Sequence, residues 1–229
     1  MFEKFAKSFY LNFIKEERWR YIADGLLVTL EVTFFACLIG ICLGFLVAII
    51  RSTYDKTRKL KIANAICRVY LTVIRGTPVV VQLLIIYFVV FGSVDINKVL
   101  VAIIAFGINS GAYVAEIVRS GIMSVPEGQA EAGRSLGFNY VQTMRYIVMP
   151  QAFKNVLPAL GNEFIVLLKE TSVSGYIALQ DLTKGGDIIR SRTFASMPLL
   201  AVALIYLCMV MLFQFFVTRL ERRLHRSER

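Results

Sequence analysis

Charged residues are scarce inside the apolar stretches of this 229-residue chain, so the few that occur mark where chemistry can be sought. Glu163 follows Asn162 and precedes Glu170 by seven residues, which places the two acids on one helical stripe. A carboxylate at mid-bilayer costs about 2.5–3.5 kcal/mol on insertion scales, so it faces a cavity or a partner. With Asn162, Glu163 can bind an ammonium group or a cationic side chain; an internal ion pair with Lys169 or Arg119 suits the same residues. Tyr113, Glu116 and Arg119 recur at i, i+3 and i+6, and Glu116 with Arg119 also fits a plain ion pair. Catalysis has little to work with. His225 is the single histidine and lies in a basic tail, and Cys37, Cys42, Cys67 and Cys208 have no metal spacing and read as packing residues. No metal site and no catalytic residue is expected.

The elements that must position these residues are membrane helices. Leu26–Ile50, Val99–Val118 and Pro198–Val217 each supply about the 20 residues that cross a bilayer core, with only Glu31 and Glu116 charged among them. A soluble domain would interleave charge at the helical period. The first 20 residues carry Phe2, Phe5, Phe9, Phe13 and Trp19 and read as an amphipathic interfacial helix, without the continuous apolar region of a cleavable signal; the first span, roughly Tyr21–Ile50, serves as an uncleaved one. The net charge of +10 gathers beside spans: Arg51, Lys56, Arg58, Lys59 and Lys61 after the first, and Arg219, Arg222, Arg223, Arg226 and Arg229 after the last. That pattern is the orientation signal of membrane proteins and not a nucleic-acid patch.

Between these lie less regular segments. Asn64, Arg68, Thr72 and Arg75 fall on one helical stripe that must break at Gly76-Thr77-Pro78, where Thr77 can cap a new helix with Pro78 at its first position. Pro78–Phe91 provides 14 residues, about 21 Å, short of the roughly 30 Å core. It either completes a crossing with the preceding helix or is an interrupted span of the kind found beside transport pathways, and a hinge or a static kink fits Gly76 and Pro78. Gly40-x-x-x-Gly44 permits close helix contact. A fourth span is expected at Phe153–Lys169, then a polar stretch Thr171–Arg192 with Gly185-Gly186 as a flexible point. Five spans place the tail and the 51–61 loop on one side and the N-terminal segment on the other, although that segment also carries Lys4, Lys7, Lys15, Arg18 and Arg20.

Residues 124–150 form a long polar excursion. Ser124-x-x-Glu127 predicts a capping box, Gly137 a left-handed helix end, and Asn139 with Gln142 the cap of a second helix limited by Pro150. A helix–glycine–helix element carrying Glu131, Arg134 and Arg145 suits docking of a soluble partner, or is an ordinary solvated loop.

Glu131-Ala132-Gly133, three residues, Gly137, nine residues, then Ile147-Val148-Met149-Pro150 resembles the signature loop of ABC importer permeases, with Gly133 in place of the second alanine and Met149 in place of leucine. By its ordinary propensity Gly133 weakens the first helix by about 1 kcal/mol relative to alanine. Arg75-Gly76-Thr77-Pro78, Ser110-Gly111-Ala112-Tyr113-x-x-Glu116-x-x-Arg119, Asn162-Glu163-Phe164-Ile165 and Lys169-Glu170-Thr171-Ser172 resemble the polar amino acid branch, the histidine, glutamine, arginine and opine permease type. The resemblance runs from about Asp24 to the last span. It implies an all-α integral membrane protein of about five transmembrane helices, the type I ABC importer permease fold, with its N-terminus outside and its C-terminus cytoplasmic. The division is then an interfacial segment at 1–20, a permease domain at 21–219 and a basic tail at 220–229.

The same resemblance implies a multi-pass protein of the plasma (inner) membrane, paired with a second permease subunit in a homo- or heterodimer. An ABC ATPase subunit would bind ATP and Mg, and an extracytoplasmic binding protein would deliver an amino acid. Glu127, Ala130, Glu131, Ala132, Gly133, Arg134, Leu136 and Gly137 would form the ATPase-coupling helix, with Glu131 facing a basic group on the ATPase. Asn162, Glu163, Glu170, Thr171, Ser172, Tyr113 and Glu116 would line the substrate pathway, and Gly76, Thr77 and Pro78 would form the hinge. No G-x-x-x-x-G-K-[ST] loop is present, so ATP hydrolysis is expected in the partner. The remaining readings are a permease of this kind for an opine or a cystine-like solute, an ATP-independent carrier or channel, and a membrane-embedded enzyme, whose clustered catalytic groups are missing.

Overall fold

The computed structural model describes residues 2–225, the side chains of Phe2, Lys56 and His225 excepted. Among them every regular element is helical. A short helix α1 (Phe2–Phe9) runs through a π-turn into an elbow at Lys15–Glu17, where Glu16 and Glu17 take positive φ. Arg18 ties the elbow: one guanidinium nitrogen donates to Leu11 O and another to Glu16. Phe5 and Phe9 stay exposed, whereas Phe13 turns inward. Asn12 and Ser8 contact Met197 Sδ and so hold the segment against the last helix.

Helix α2 (Trp19–Thr57) is 39 residues long and absorbs most of the loop expected after residue 50. Its stop comes at Arg58, which adopts the left-handed conformation and returns its N–H to Tyr54 O. Its chief neighbour is α5 (Lys98–Met123). Gly40 and Gly44 form the seam: a Cβ on Gly40 would lie 2.8 Å from Ser110 Oγ, and one on Gly44 2.5 Å from Val114 Cγ1. With little solvophobic drive inside lipid, such small-residue contact is what lets two apolar helices associate.

Helices α3 (Lys61–Gly76) and α4 (Val79–Ile85, continued by a π-turn to Val90) replace one straight span with a pair bent by 111°. The inward stripe of α3 is Asn64, Cys67 and Leu71; Arg68 and Thr72, expected on that stripe, are exposed. The cap at the break also differs from expectation. Pro78 itself occupies the N-cap of α4, and Thr77 Oγ1 donates back to Val73 O. Gln82, buried on α4, reaches Ile74 O at 2.7 Å and Thr77 O at 3.0 Å, while its Oε1 accepts from Asn109 on α5 at 2.9 Å. Ile74 O is the acceptor that Pro78, lacking an N–H, cannot satisfy, so the side-chain amide takes over.

After the excursion, α8 (Met149–Glu170) packs between α5 and α10 (Met197–His225), and Pro158 is accommodated inside it. Among the described residues three helices, α2, α5 and α10, are long and apolar enough to cross a membrane, and the bent pair makes a fourth if counted as one. The expected span at Phe153–Lys169 lies in α8, which at 22 residues is about 33 Å long but too polar to qualify on length and composition alone. The stretch expected to be polar and flexible is a 3-10 turn (Thr171–Ile177) followed by α9 (Leu182–Thr193). Gly185 and Gly186 are buried within α9, where a Cβ would meet Tyr21 O and Val202 Cγ2; they serve close packing and are not a flexible point. Helix α10 carries the basic tail onward to His225; Arg226 and Arg229 lie outside the described residues.

Candidate solute cavity and coupling loop

The excursion folds as α6 (Glu127–Ser135) and α7 (Tyr140–Thr143), the latter passing through a π-turn (Met144–Val148) directly into α8. Pro150 therefore does not end the second helix; it sits in the first turn of α8, where a missing N–H is harmless. The capping box expected at Ser124 does not form. Pro126 holds the N-cap position of α6, and Ser124 Oγ donates to Gly121 O. The other end matches expectation: Gly137 has φ +81, its N–H returns to Arg134 O and Phe138 N–H to Gly133 O, the paired bonds of a Schellman stop. Asn139 and Gln142 exchange the bonds of a capping box.

Of the eight residues expected to couple, Glu127, Glu131, Ala132, Arg134, Leu136 and Gly137 are exposed. Gly133 is buried and Ala130 half-buried, because this side of α6 lies on the helix that follows. A Cβ on Gly133 would come 2.8 Å from Thr143 Cγ2 and 2.9 Å from Ile147 Cδ1, which explains the departure from alanine. Glu131 pairs loosely with Arg134 at 3.8 Å. Tyr140, Val141 and Tyr146 also project from this face, three exposed apolar side chains that periodicity alone did not single out.

Glu163, Tyr113 and Glu116, three of the pathway candidates, line one cavity of about 450 Å³ between α5 and α8. Glu163 is 8% exposed and accepts a hydrogen bond from Ser110 Oγ at 2.8 Å. The ion pair with Lys169 or Arg119 is absent among the described residues; burial with one hydroxyl donor leaves this carboxylate with acceptor capacity to spare. Arg75 lines the same cavity. Its guanidinium lies 3.6 Å from Glu116 and 5.9 Å from the centre of the Tyr113 ring. Arg119 meets Glu116 at 3.7 Å and Asp55 at 3.9 Å, so a loose, partly exposed chain of charge links α2, α5 and the end of α3.

The other candidates are not brought to this cavity. Asn162 is exposed on a neighbouring side of α8. Glu170 is half-buried seven residues on, about 10 Å along the helix. Thr171 is buried with its hydroxyl donating to Leu168 O. Ser172 lines a separate concavity of about 380 Å³ with Tyr176, Lys184 and Asp187. Beside that concavity, the Arg190 and Lys184 side chains hold the Asp187 carboxyl below its usual range. A Cβ added to Gly76 would meet nothing within 4 Å, while Thr77 and Pro78 form the break. Conversely, Arg75, Ser124 and Asn155 line the cavity and Ser110 donates to Glu163, and none of the four was assigned to it from sequence. For Arg75 and Ser110 the only signal was their membership in motifs.

The chain is 36% identical over 198 residues to the glutamine transport system permease protein GlnP of Escherichia coli (strain K12), covering 85% of this chain and 90% of that protein. It is 35% identical over 212 residues to the arginine transport system permease protein ArtQ of Bacillus subtilis (strain 168), covering 91% and 94%. A crystal structure of an amino acid ABC transporter with histidines superposes with a TM-score of 0.83 at 42% identity, covering 91% of this chain and 96% of that one. The MetNI methionine ABC transporter in an inward-facing form shares the fold, with a TM-score of 0.73 at 21% identity. Residues 40–226 match the family described as binding-protein-dependent transport system inner membrane component, and the chain belongs to that family of multi-pass inner-membrane permease subunits.

Proposed function

We propose that this chain is the permease subunit through which a polar or charged amino acid, of the arginine, glutamine, glutamate or histidine kind, crosses the membrane in an ATP-driven importer. The observation that carries the reading is the cavity holding Glu163, Glu116 and Tyr113 at one end of the same helix pair that the exposed α6 joins. Glu163, with spare acceptor capacity, suits an ammonium or cationic side chain, and Arg75 offers a guanidinium to an α-carboxylate. The relatives named above include glutamine and arginine permeases, which supports this solute class.

The partners follow from the same reading. An ABC ATPase subunit holding ATP and Mg docks on α6 through Glu131, Ala132 and Leu136. An external binding protein delivers the solute at the opposite end of α8. A second permease, identical or related, covers apolar helix faces left open here. Glu31 supports that last point: it is exposed on α2 among Leu27, Phe34 and Phe35, a costly position in lipid. The N-terminus lies outside and α6 faces the cytoplasm. No nucleic acid takes part.

The test is uptake of radiolabelled arginine, glutamine and histidine into proteoliposomes carrying the permease with its ATPase and binding protein. ATP-dependent accumulation of at least one is expected, and Glu163→Gln is expected to lower it with the complex intact. Accumulation by the permease alone, without ATP, would overturn the reading in favour of a carrier or channel.

A further inference from the structure

The two ends of the coupling excursion are tied together at the rim of the cavity. Asn155 Nδ2, in the second turn of α8, donates to Ser124 Oγ, just past the end of α5, at 2.8 Å. Ser124 passes the link on by donating to Gly121 O at 2.8 Å. A second strap lies nearer α6: Gln151 Nε2 donates to Gln129 Oε1 at 3.3 Å and to Ile147 O at 2.9 Å. Beneath both, Val125, Val148 and Ala152 form a small apolar cluster that seats the base of the loop. Ser124 and Asn155 also line the same cavity as Glu116 and Glu163.

We infer that the Ser124–Asn155 clasp is the joint through which movement of the coupling loop reaches the solute cavity, with Asn155 as its positioning residue. This rests on the transport reading and deepens it. A pull on α6 is borne first by its anchors, residues 124–125 on one side and 148–155 on the other, because packed helices move as rigid bodies and not as continuously deformable ones. The separation of those anchors is the width of the cavity at its loop end. A hydrogen bond between two side chains open to the cavity can be exchanged for bonds to water, so the joint holds one width and releases to another without leaving a buried polar group unpaired. The buried apolar cluster cannot do this, since it has no alternative partners.

The experiment compares the assembled importer in proteoliposomes for wild type, Ser124→Ala, Asn155→Ala, the double variant and Ser124→Thr, measuring ATP hydrolysed per solute moved. Each single alanine is expected to raise that ratio at least about threefold with the ATPase still co-purifying, and the double to be no worse than Ser124→Ala, in which the bond to Asn155 is already lost. Ser124→Thr, which keeps the hydroxyl, is expected to restore the wild-type ratio. An unchanged ratio in both singles, or additive effects in the double, would overturn the inference even if thermal stability fell. Failure of the wild-type complex to take up any amino acid with ATP would overturn the transport reading, and this inference with it.

Discussion

At the scale of single residues, the polar groups that matter are those completing a hydrogen-bond account that an apolar surrounding leaves open. Gln82 serves the carbonyls of Ile74 and Thr77 at the break before α4. Gln82→Leu keeps the volume and removes the donor, so it is expected to destabilise the permease by about 1–3 kcal/mol in thermal unfolding in detergent. A change below about 0.5 kcal/mol, the scatter of ordinary surface substitutions, would show that the carbonyls find other partners. Asp181 is a second case. Its Oδ1 accepts from Lys184 N and caps α9, its Oδ2 has no partner among the described residues, and burial raises the carboxyl to about 6. An acid whose pKa is raised on folding stabilises the fold while protonated in both states. That contribution is lost as pH climbs from the ordinary value of 3.8 to about 6. Asp181→Asn retains the capping oxygen, so its melting temperature is expected to vary less than that of wild type between pH 4 and 7. Parallel pH profiles for the two proteins would reject this assignment.

At the scale of elements, close approach between α2 and α5 sets the frame. Gly44→Val inserts carbon where Val114 and the Ala115 backbone already sit, and overpacking of this kind costs about 1–3 kcal/mol. Reduced yield and a lowered melting temperature are expected. Gly76→Ala is the contrast, since nothing lies within 4 Å of its added carbon and its φ is not positive. If the break works through Pro78 and Gln82, this variant is expected to fold and transport normally; loss of uptake with a normal melting temperature would instead make Gly76 a moving hinge. The Gly40–Gly44 spacing was visible in the sequence, but its partner helix was not, because small-residue spacing states that something approaches without stating what.

At the scale of the whole molecule, α8, about 33 Å long, separates the coupling loop from α9, and the proposed topology puts the two near opposite membrane faces. With the four native cysteines replaced by alanine, Gly128→Cys on α6 is expected to react with a membrane-impermeant maleimide only from the cytoplasmic side. Phe194→Cys, at the fully exposed end of α9, is expected to react only from outside. Labelling of both from one side would refute the topology. Glu31→Cys is expected to cross-link two permease copies in a homodimeric complex, or to label with a partner permease where two chains differ. Its absence from any subunit contact would reject the exposed α2 face as the surface that a second permease covers.

Hydropathy and turn chemistry were sufficient to establish a helical membrane protein, the excursion at 124–150, the left-handed stop at Gly137 and the capping box at Asn139, since each depends on a short run of chain and its local energetics. Only the packed molecule decided which carboxylates share a cavity. Residues 113, 116 and 163 meet because α5 and α8 lie side by side, whereas Asn162, adjacent to Glu163 in sequence, is rotated about 100° around the helix and faces elsewhere. The bend before α4, the burial of Gly185 and the displacement of the Ser124 hydroxyl from cap to clasp are likewise settled by neighbours distant in sequence. Local preference, worth tenths of a kcal/mol to about one per residue, gives way wherever a close tertiary contact makes a larger demand.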